Sequence, residues 1–154
     1  LAEWKSSSMS SVHFSSASDE WPTPDEYFVR LRTLFNFVLD PCADEKNAKA
    51  PHFFTREQNG LAQSWHHGGA VFMNPPYGRG ISDWVKKAYD TALEGTPVVC
   101  LLPARTDTKW WKEYCAKGLV HFVAGRLKFG DHKNSAPFPS AIVIFANLDA
   151  RGTQ

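Results

Sequence analysis
The sequence predicts an α/β fold, a doubly wound and mostly parallel sheet with a strand-rich C-terminal end. Three observations predict it. Short apolar runs alternate with amphipathic stretches of helical period over most of the chain. Two of the runs, Ala70-Val71-Phe72-Met73 and Val98-Val99-Cys100-Leu101-Leu102, are continuously apolar, as strands covered on both faces are. The remainder after Tyr114 reads as strands alone, at 120–123, 127–129 and 141–145.

Size and composition suit one globular domain. The 154 residues are about one domain's length, and such a domain buries roughly 70% of its unfolded surface. A core is available without disulfides or metals. Hydrophobic residues are 43% and charged residues 21%. Six Trp, four Tyr and eleven Phe demand burial or ligand contact, which excludes wholesale disorder. No apolar run approaches the roughly 20 residues that span a membrane, and no secretory h-region is present, so a cytoplasmic location is expected. The net charge of +1 neither announces nor excludes nucleic acid, since a local basic face hides in a near-neutral total. Cys42, Cys100 and Cys115 lie far apart without a CxxC pair. That spacing argues against a disulfide framework and against a cysteine zinc site.

The elements follow in order. Residues 1–20 are Ser-rich and poor in apolar side chains, and are expected to form a flexible tail whose end docks near Trp21. A single domain is expected over 21–150. Thr23-Pro24-Asp25-Glu26 reads as a capping box, with Thr at N-cap, Pro at the first helical position and Glu at N3. Phe28, Leu31, Leu34 and Phe35 follow at helical spacing, so a helix to about Asn36 is predicted. Phe37-Val38-Leu39 reads as a short buried strand ending at Asp40-Pro41, and 51–54 as a second. After the strand at 70–73, Ile81, Trp84, Val85, Ala88 and Leu93 share one helix face, and Gly95 suits its stop. After the strand at 98–102, Asp107 or Thr108 caps a short helix through Tyr114.

Doubly wound sheets bind ligands beyond the carboxyl ends of their strands. Three predicted strands end in unusual turns: Asp40-Pro41-Cys42-Ala43, Asn74-Pro75-Pro76-Tyr77 and Pro103-Ala104-Arg105-Thr106-Asp107. The fold is expected to bring all three to one crevice.

Asn-Pro-Pro-Tyr at a strand end has a definite chemistry. Two prolines fix two φ angles and remove two N–H donors, so the turn displays carbonyl oxygens. Asn74 adds a side-chain carbonyl. The Asn74 oxygen and the Pro75 carbonyl can together accept both hydrogens of one planar NH2 group. Tyr77 offers a π-face to the ring that carries it, a contact worth about 1–3 kcal/mol per base. An exocyclic adenine amine is a poor nucleophile because its lone pair is delocalised. Two acceptors that hold its hydrogens out of the ring plane localise that pair, and an electrophilic methyl group in line can then be transferred. Positioning and electrostatics carry such catalysis.

An ordered series of blocks accompanies this motif: HFSSASDEWPTP (13–24), LDPCADEKNAK (39–49), FFTREQNGLAQSW (53–65), VFMNPPYGRGISDWVKKA (71–88), VVCLLPARTDTKWW (98–111), GRLKFG (125–130) and SAPFPSAIVIF (135–145). In this order they resemble the phage DNA N-6-adenine-methyltransferases of the Dam type. The resemblance covers nearly everything after residue 12. It implies a minimal class I, S-adenosylmethionine-dependent methyltransferase on a Rossmann-like sheet, with no separate target-recognition domain. Asn74, Pro75, Pro76 and Tyr77 are then the catalytic motif. Asp40, Pro41, Cys42 and Ala43 are the cofactor's first motif, with Asp40 placed to accept from the methionine ammonium. Trp21, Thr23 and Pro24 belong to the block that lines the methionine pocket. Glu57 is placed to accept from the ribose hydroxyls, Asn59 to bond the cofactor adenine, and Asn74 to face the cofactor as well. The chain lacks the glycine-rich FxGxG first motif of many amino-methyltransferases, and it carries Asn59-Gly60-Leu61 where members of the resembled family often carry Asp-Gly-Leu. DNA is the implied partner, with a flipped target base, a short site such as GATC, and a monomer as the default state.

Arg105, Thr106 and Thr108 follow the central strand and are expected at the rim of the crevice. Arg105 either meets a phosphate or base edge of DNA or pairs with Asp107. Of Trp110 and Trp111, one is expected in the core, and Trp110 is the one expected against DNA. Arg126 and Lys128 alternate as a small basic patch, near Lys133. His66 and His67 are adjacent, point to opposite faces of a strand, and have no carboxylate or Cys spaced to help, so no metal site is expected. Cys42 has no partner for nucleophilic catalysis and reads as a packing residue. The motif suits any planar amine, so RNA adenine and the glutamine amide of a protein stay open, as does a non-catalytic DNA-binding module.

Overall fold
The structure, a computed structural model, describes residues 21–129 and 133–148. Within these, six strands form one sheet: β1 (Phe37–Asp40), β2 (His52–Phe53), β3 (Ala70–Met73), β4 (Val98–Pro103), β5 (Leu119–Phe122) and β6 (Ser140–Phe145). Their order is β2-β1-β3-β4-β6-β5. The first four pair in parallel, and β6 runs antiparallel between β4 and β5. The helices are α1 (Asp25–Arg32), α2 (Ile81–Leu93) and α3 (Lys109–Glu113). This is the predicted α/β sheet. From β1 the chain steps outward to β2, and from β3 it steps the other way to β4. The carboxyl ends of β1 and β3 therefore frame the switch point at which doubly wound sheets bind ligands.

The core follows from the apolar runs. Every residue of β3 and β4 is buried. Phe72 of β3 receives Phe28 of α1 and Phe37 of β1 edge-on, with centroids 5.1 and 5.5 Å away. On the other side α2 buries Ile81, Trp84, Val85, Ala88 and Ala92. Leu93, expected on that face, is exposed. Ala92 lies about three full turns beyond Ile81, and Leu93 overshoots them. Gly95 takes a φ of +107° at the helix stop, as expected. No helix of the described residues is long and apolar enough to cross a membrane.

Three local expectations fail. The capping box does not form: Pro24 is the N-cap of α1 and no side chain caps it, because the Thr23 hydroxyl is bonded to Asn74 instead. The helix stops at Arg32, where Thr33 Oγ1 donates to the Arg30 carbonyl at 2.7 Å, and Leu34 is exposed. Residues 127–129 are not a strand. The Ala136 N–H bonds the Leu127 carbonyl at 2.7 Å, but Pro137 and Pro139 beside it have no N–H with which to extend a ladder. The expected tail at 1–20 lies outside the described residues.

Candidate active site
The carboxyl ends of β1 and β3 open onto a cleft of about 950 Å³, its mouth included. Asp40, Pro41, Cys42 and Ala43 line it from β1, and Asn74, Pro75 and Pro76 from β3. Trp21, Pro22 and Thr23 bring the segment before α1 to the same space. Two of the three expected turns thus meet there. The third does not line it: the Ala104 N–H bonds the Pro139 carbonyl at 2.9 Å, and the Arg105 guanidinium lies over the Phe138 ring, 5.9 Å from its centroid.

Asp40 organises the first wall. It is 4% exposed. Its Oδ1 accepts from the Cys42 N–H at 3.3 Å and its Oδ2 from the Lys49 N–H at 3.0 Å. Burial outweighs these bonds and pushes its pKa up to about 6. The two walls are stitched together by Cys42, whose thiol donates to the Asn74 main-chain carbonyl at 3.2 Å. Burial raises that thiol well above its ordinary range, so it stays a protonated donor rather than a nucleophile.

Asn74 is held more tightly than the sequence suggested. Its Nδ2 donates to the Trp21 carbonyl at 2.6 Å and to Thr23 Oγ1 at 2.9 Å. Its Oδ1 is buried with no hydrogen-bond partner among the described residues. An orphaned buried acceptor costs about 1–3 kcal/mol, and in a native structure it asks for an explanation. Pro75 and Pro76 beside it offer no donor to relieve it.

Tyr77 does not present the open π-face expected of it. The ring is 8% exposed and does not line the cleft. Its hydroxyl donates to the Leu101 carbonyl at 3.0 Å. Phe129 and Phe138 stand against it at 6.2 and 5.5 Å, and Trp21 meets the same two rings at 5.5 and 5.2 Å.

The far end of the cleft contains both expected and unforeseen residues. Glu57 and Asn59 line it. Asn59 takes a left-handed φ of 54°, and its Oδ1 accepts from the Leu61 N–H at 3.3 Å, capping the short turn Gly60–Ala62. Thr55, Arg56, Lys49, Gly60 and Trp84 line it too, and sequence reasoning assigned none of them there. Trp84 read only as helix face, and in fact stacks on Trp65 at 6.1 Å. Pro24, expected in the methionine pocket, starts α1 and does not line the cleft.

The expected DNA contacts divide. Arg105, Thr106, Arg126, Lys128 and Lys133 are exposed. Arg126 and Lys128 do not alternate on a strand, since none forms there. The Thr108 hydroxyl is occupied as the cap of α3, accepting from the Trp111 N–H at 3.3 Å and donating to the Arg105 carbonyl at 2.7 Å. Trp110 and Trp111 are both buried, 8% and 7% exposed, so neither is free for DNA. They pack on each other at 5.9 Å, and Trp111 stacks on Phe122 at 6.2 Å. His66 bonds Thr96 and Glu94, and His67 bonds the Ser64 carbonyl. Among the described residues no three side chains gather as metal ligands.

A doubly wound sheet with Asn-Pro-Pro-Tyr at its switch point puts the chain in the α/β methyltransferase-like class. More narrowly, it belongs to the DNA N-6-adenine-methyltransferase (Dam) family, whose profile matches residues 10–150. It is similar to the DNA N-6-adenine-methyltransferase of Haemophilus phage HP1 (strain HP1c1), 34% identical over 140 residues that cover 84% of this chain and 80% of that one. It is 46% identical to the putative methyltransferase YfdM of Escherichia coli (strain K12) over 65 residues, 38% of this chain and 71% of that one. Over 96 residues it is 34% identical to the DNA N-6-adenine-methyltransferase of Escherichia phage T1, 62% of this chain and 40% of that one.

Proposed function
We propose that this chain methylates the exocyclic amine of adenine in DNA, using S-adenosylmethionine, at a short site such as GATC. The observation that carries the reading is the buried Asn74 Oδ1, without a hydrogen-bond partner among the described residues, beside two prolines. It is an acceptor with no hydrogen to accept, next to carbonyls with no competing donors. A planar amine supplies the missing hydrogens. Asn74 Oδ1 and the Pro75 carbonyl then draw both out of the ring plane and localise the lone pair. The amine loses its proton only after attack, so no strong base is required.

The cleft suits the cofactor. Bound there, S-adenosylmethionine supplies an electrophilic methyl group. Asp40 is a buried acid able to pair with its ammonium. Glu57, which pairs with the Arg56 guanidinium at 3.7 Å, is placed to accept from ribose hydroxyls, and Asn59 to bond the cofactor adenine. The Gly60 backbone packs where a Cβ would stand 2.0 Å from the Pro41 carbonyl oxygen. The target adenine leaves the duplex stack and reaches Tyr77 as the Phe129–Phe138 cluster yields. Arg105, Thr106, Arg126 and Lys128 are exposed groups available to DNA. The phage and bacterial sources of the relatives support action in a bacterial cytoplasm, and a monomer suffices for the chemistry.

Two experiments test this reading. Unmethylated plasmid incubated with the protein and S-adenosylmethionine, then cut by nucleases that distinguish methylated GATC, should become protected at GATC. Methylated adenine in another sequence would overturn the site while keeping the reaction. The second concerns Asp40. A bound cation favours its carboxylate, so below about pH 6 binding must expel a proton. Affinity for S-adenosylmethionine should therefore weaken as pH falls through about 6, by up to about tenfold per unit, and be flat above it. Asp40→Asn should abolish that dependence. Calorimetric titration across this range decides it, and a flat profile for the unmodified protein removes Asp40 from the cofactor site.

A further inference from the structure
We infer that Thr23 is a positioning residue for the reaction, one that takes up the second Asn74 amide hydrogen and holds the side chain so that Oδ1 meets the target amine. The inference rests on the proposed adenine methylation and concerns the same site. A side-chain amide carries two N–H donors on one end and an acceptor on the other. Exchanging the two ends would set Asn74 Oδ1 against the Trp21 carbonyl, now 2.6 Å from Nδ2, acceptor against acceptor. The Trp21 carbonyl therefore forbids the exchanged amide. Thr23 Oγ1, 2.9 Å from Nδ2, takes the second hydrogen. With both donors committed, only Oδ1 is left, and it is the orphaned atom. The arrangement is bought at the cost of a local one, since Thr23 stands beside the N-terminus of α1 yet does not cap it. Its hydroxyl, 7% exposed as a residue, instead bonds a partner 51 positions away. An aspartate at position 74 would keep an acceptor but bring no hydrogen to Trp21 at neutral pH.

The test is steady-state methylation of adenine in DNA alongside S-adenosylmethionine binding, for the unmodified chain, Thr23→Val, Thr23→Ser and Asn74→Asp. Thr23→Val keeps the shape and loses the hydroxyl. Its kcat should fall about ten- to a hundredfold, with cofactor affinity within about twofold, a change that RT ln 2 makes small. Thr23→Ser should restore most of the lost rate. Asn74→Asp should lose at least as much kcat as Thr23→Val. Unchanged kcat in Thr23→Val or in Asn74→Asp overturns the inference. So does a Thr23→Val whose whole defect lies in cofactor affinity, which would make Thr23 a cofactor contact, or a Thr23→Ser no better than Val. If the unmodified chain methylates no adenine, the reading of the reaction falls and the inference with it. An active unmodified chain with an indifferent Thr23→Val overturns the inference alone.

Discussion

Replacing Asn74 with Ala is expected to lower kcat for methyl transfer by about a hundred- to a thousandfold, the usual cost of losing one pre-oriented group at a reacting centre. The side-chain Nδ2 is 2.6 Å from the Trp21 carbonyl and 2.9 Å from Thr23 Oγ1, while its Oδ1 bonds nothing among the described residues. On the proposed mechanism, truncation removes the acceptor from the target amine and leaves the Pro75 carbonyl alone, so the lone pair returns to the ring. The walls of the cleft should survive, because Cys42 bonds the main-chain carbonyl of residue 74 rather than its side chain. Turnover measured beside cofactor binding and a thermal melt checks this. A kcat within a few-fold of the unmodified chain would remove Asn74 from the chemistry.

Gly60→Ala is expected to damage the cofactor cleft from its floor. A Cβ there would stand 2.0 Å from the Pro41 carbonyl oxygen and 3.2 Å from the rim of the Trp84 ring. Pro41 is backbone, so no rotamer relieves the overlap, and the turn at 59–62 must pull away from the turn at 40–43. Both turns line the cleft. The Trp65 indole N–H bonded to the Gly60 carbonyl at 2.8 Å would be strained too. Overpacking of this kind costs about 1–3 kcal/mol, or roughly 3–10 °C in melting temperature for a chain this long. Affinity for S-adenosylmethionine should fall by about tenfold or more, equivalent to about 1.4 kcal/mol. Gly80→Ala is the comparison, since nothing lies within 4 Å of a Cβ there. A Gly60→Ala as stable and as tight-binding as Gly80→Ala would refute the close packing of the two turns.

The strands were readable because burial on both faces leaves a continuous apolar run, and β3, β4 and β6 carry one. The switch point was readable from the turns that end β1 and β3. What local pattern could not reveal were partners far away in sequence. Thr23 has every mark of a helix cap, but a stronger claim on its hydroxyl comes from Asn74. Tyr77 has the mark of an exposed platform, but Phe129 and Phe138 reach it from the C-terminal segment. Trp110 and Trp111 looked divided between core and surface, yet a five-residue helix packed on β5 buries both. Residues such as Arg56, Gly60 and Trp84 carried no signal of the cleft. Their role depends on how the turn at 59–62 folds back under Pro41, which only the tertiary packing decides.

The proposed transfer of a methyl group to adenine in DNA can be followed with S-adenosylmethionine carrying a labelled methyl group, unmethylated duplex DNA, and digestion to nucleosides. Label in N-6-methyladenine is expected, as is its loss in Asn74→Ala. Label in another nucleoside, or none in DNA from a protein that binds S-adenosylmethionine, would contradict it.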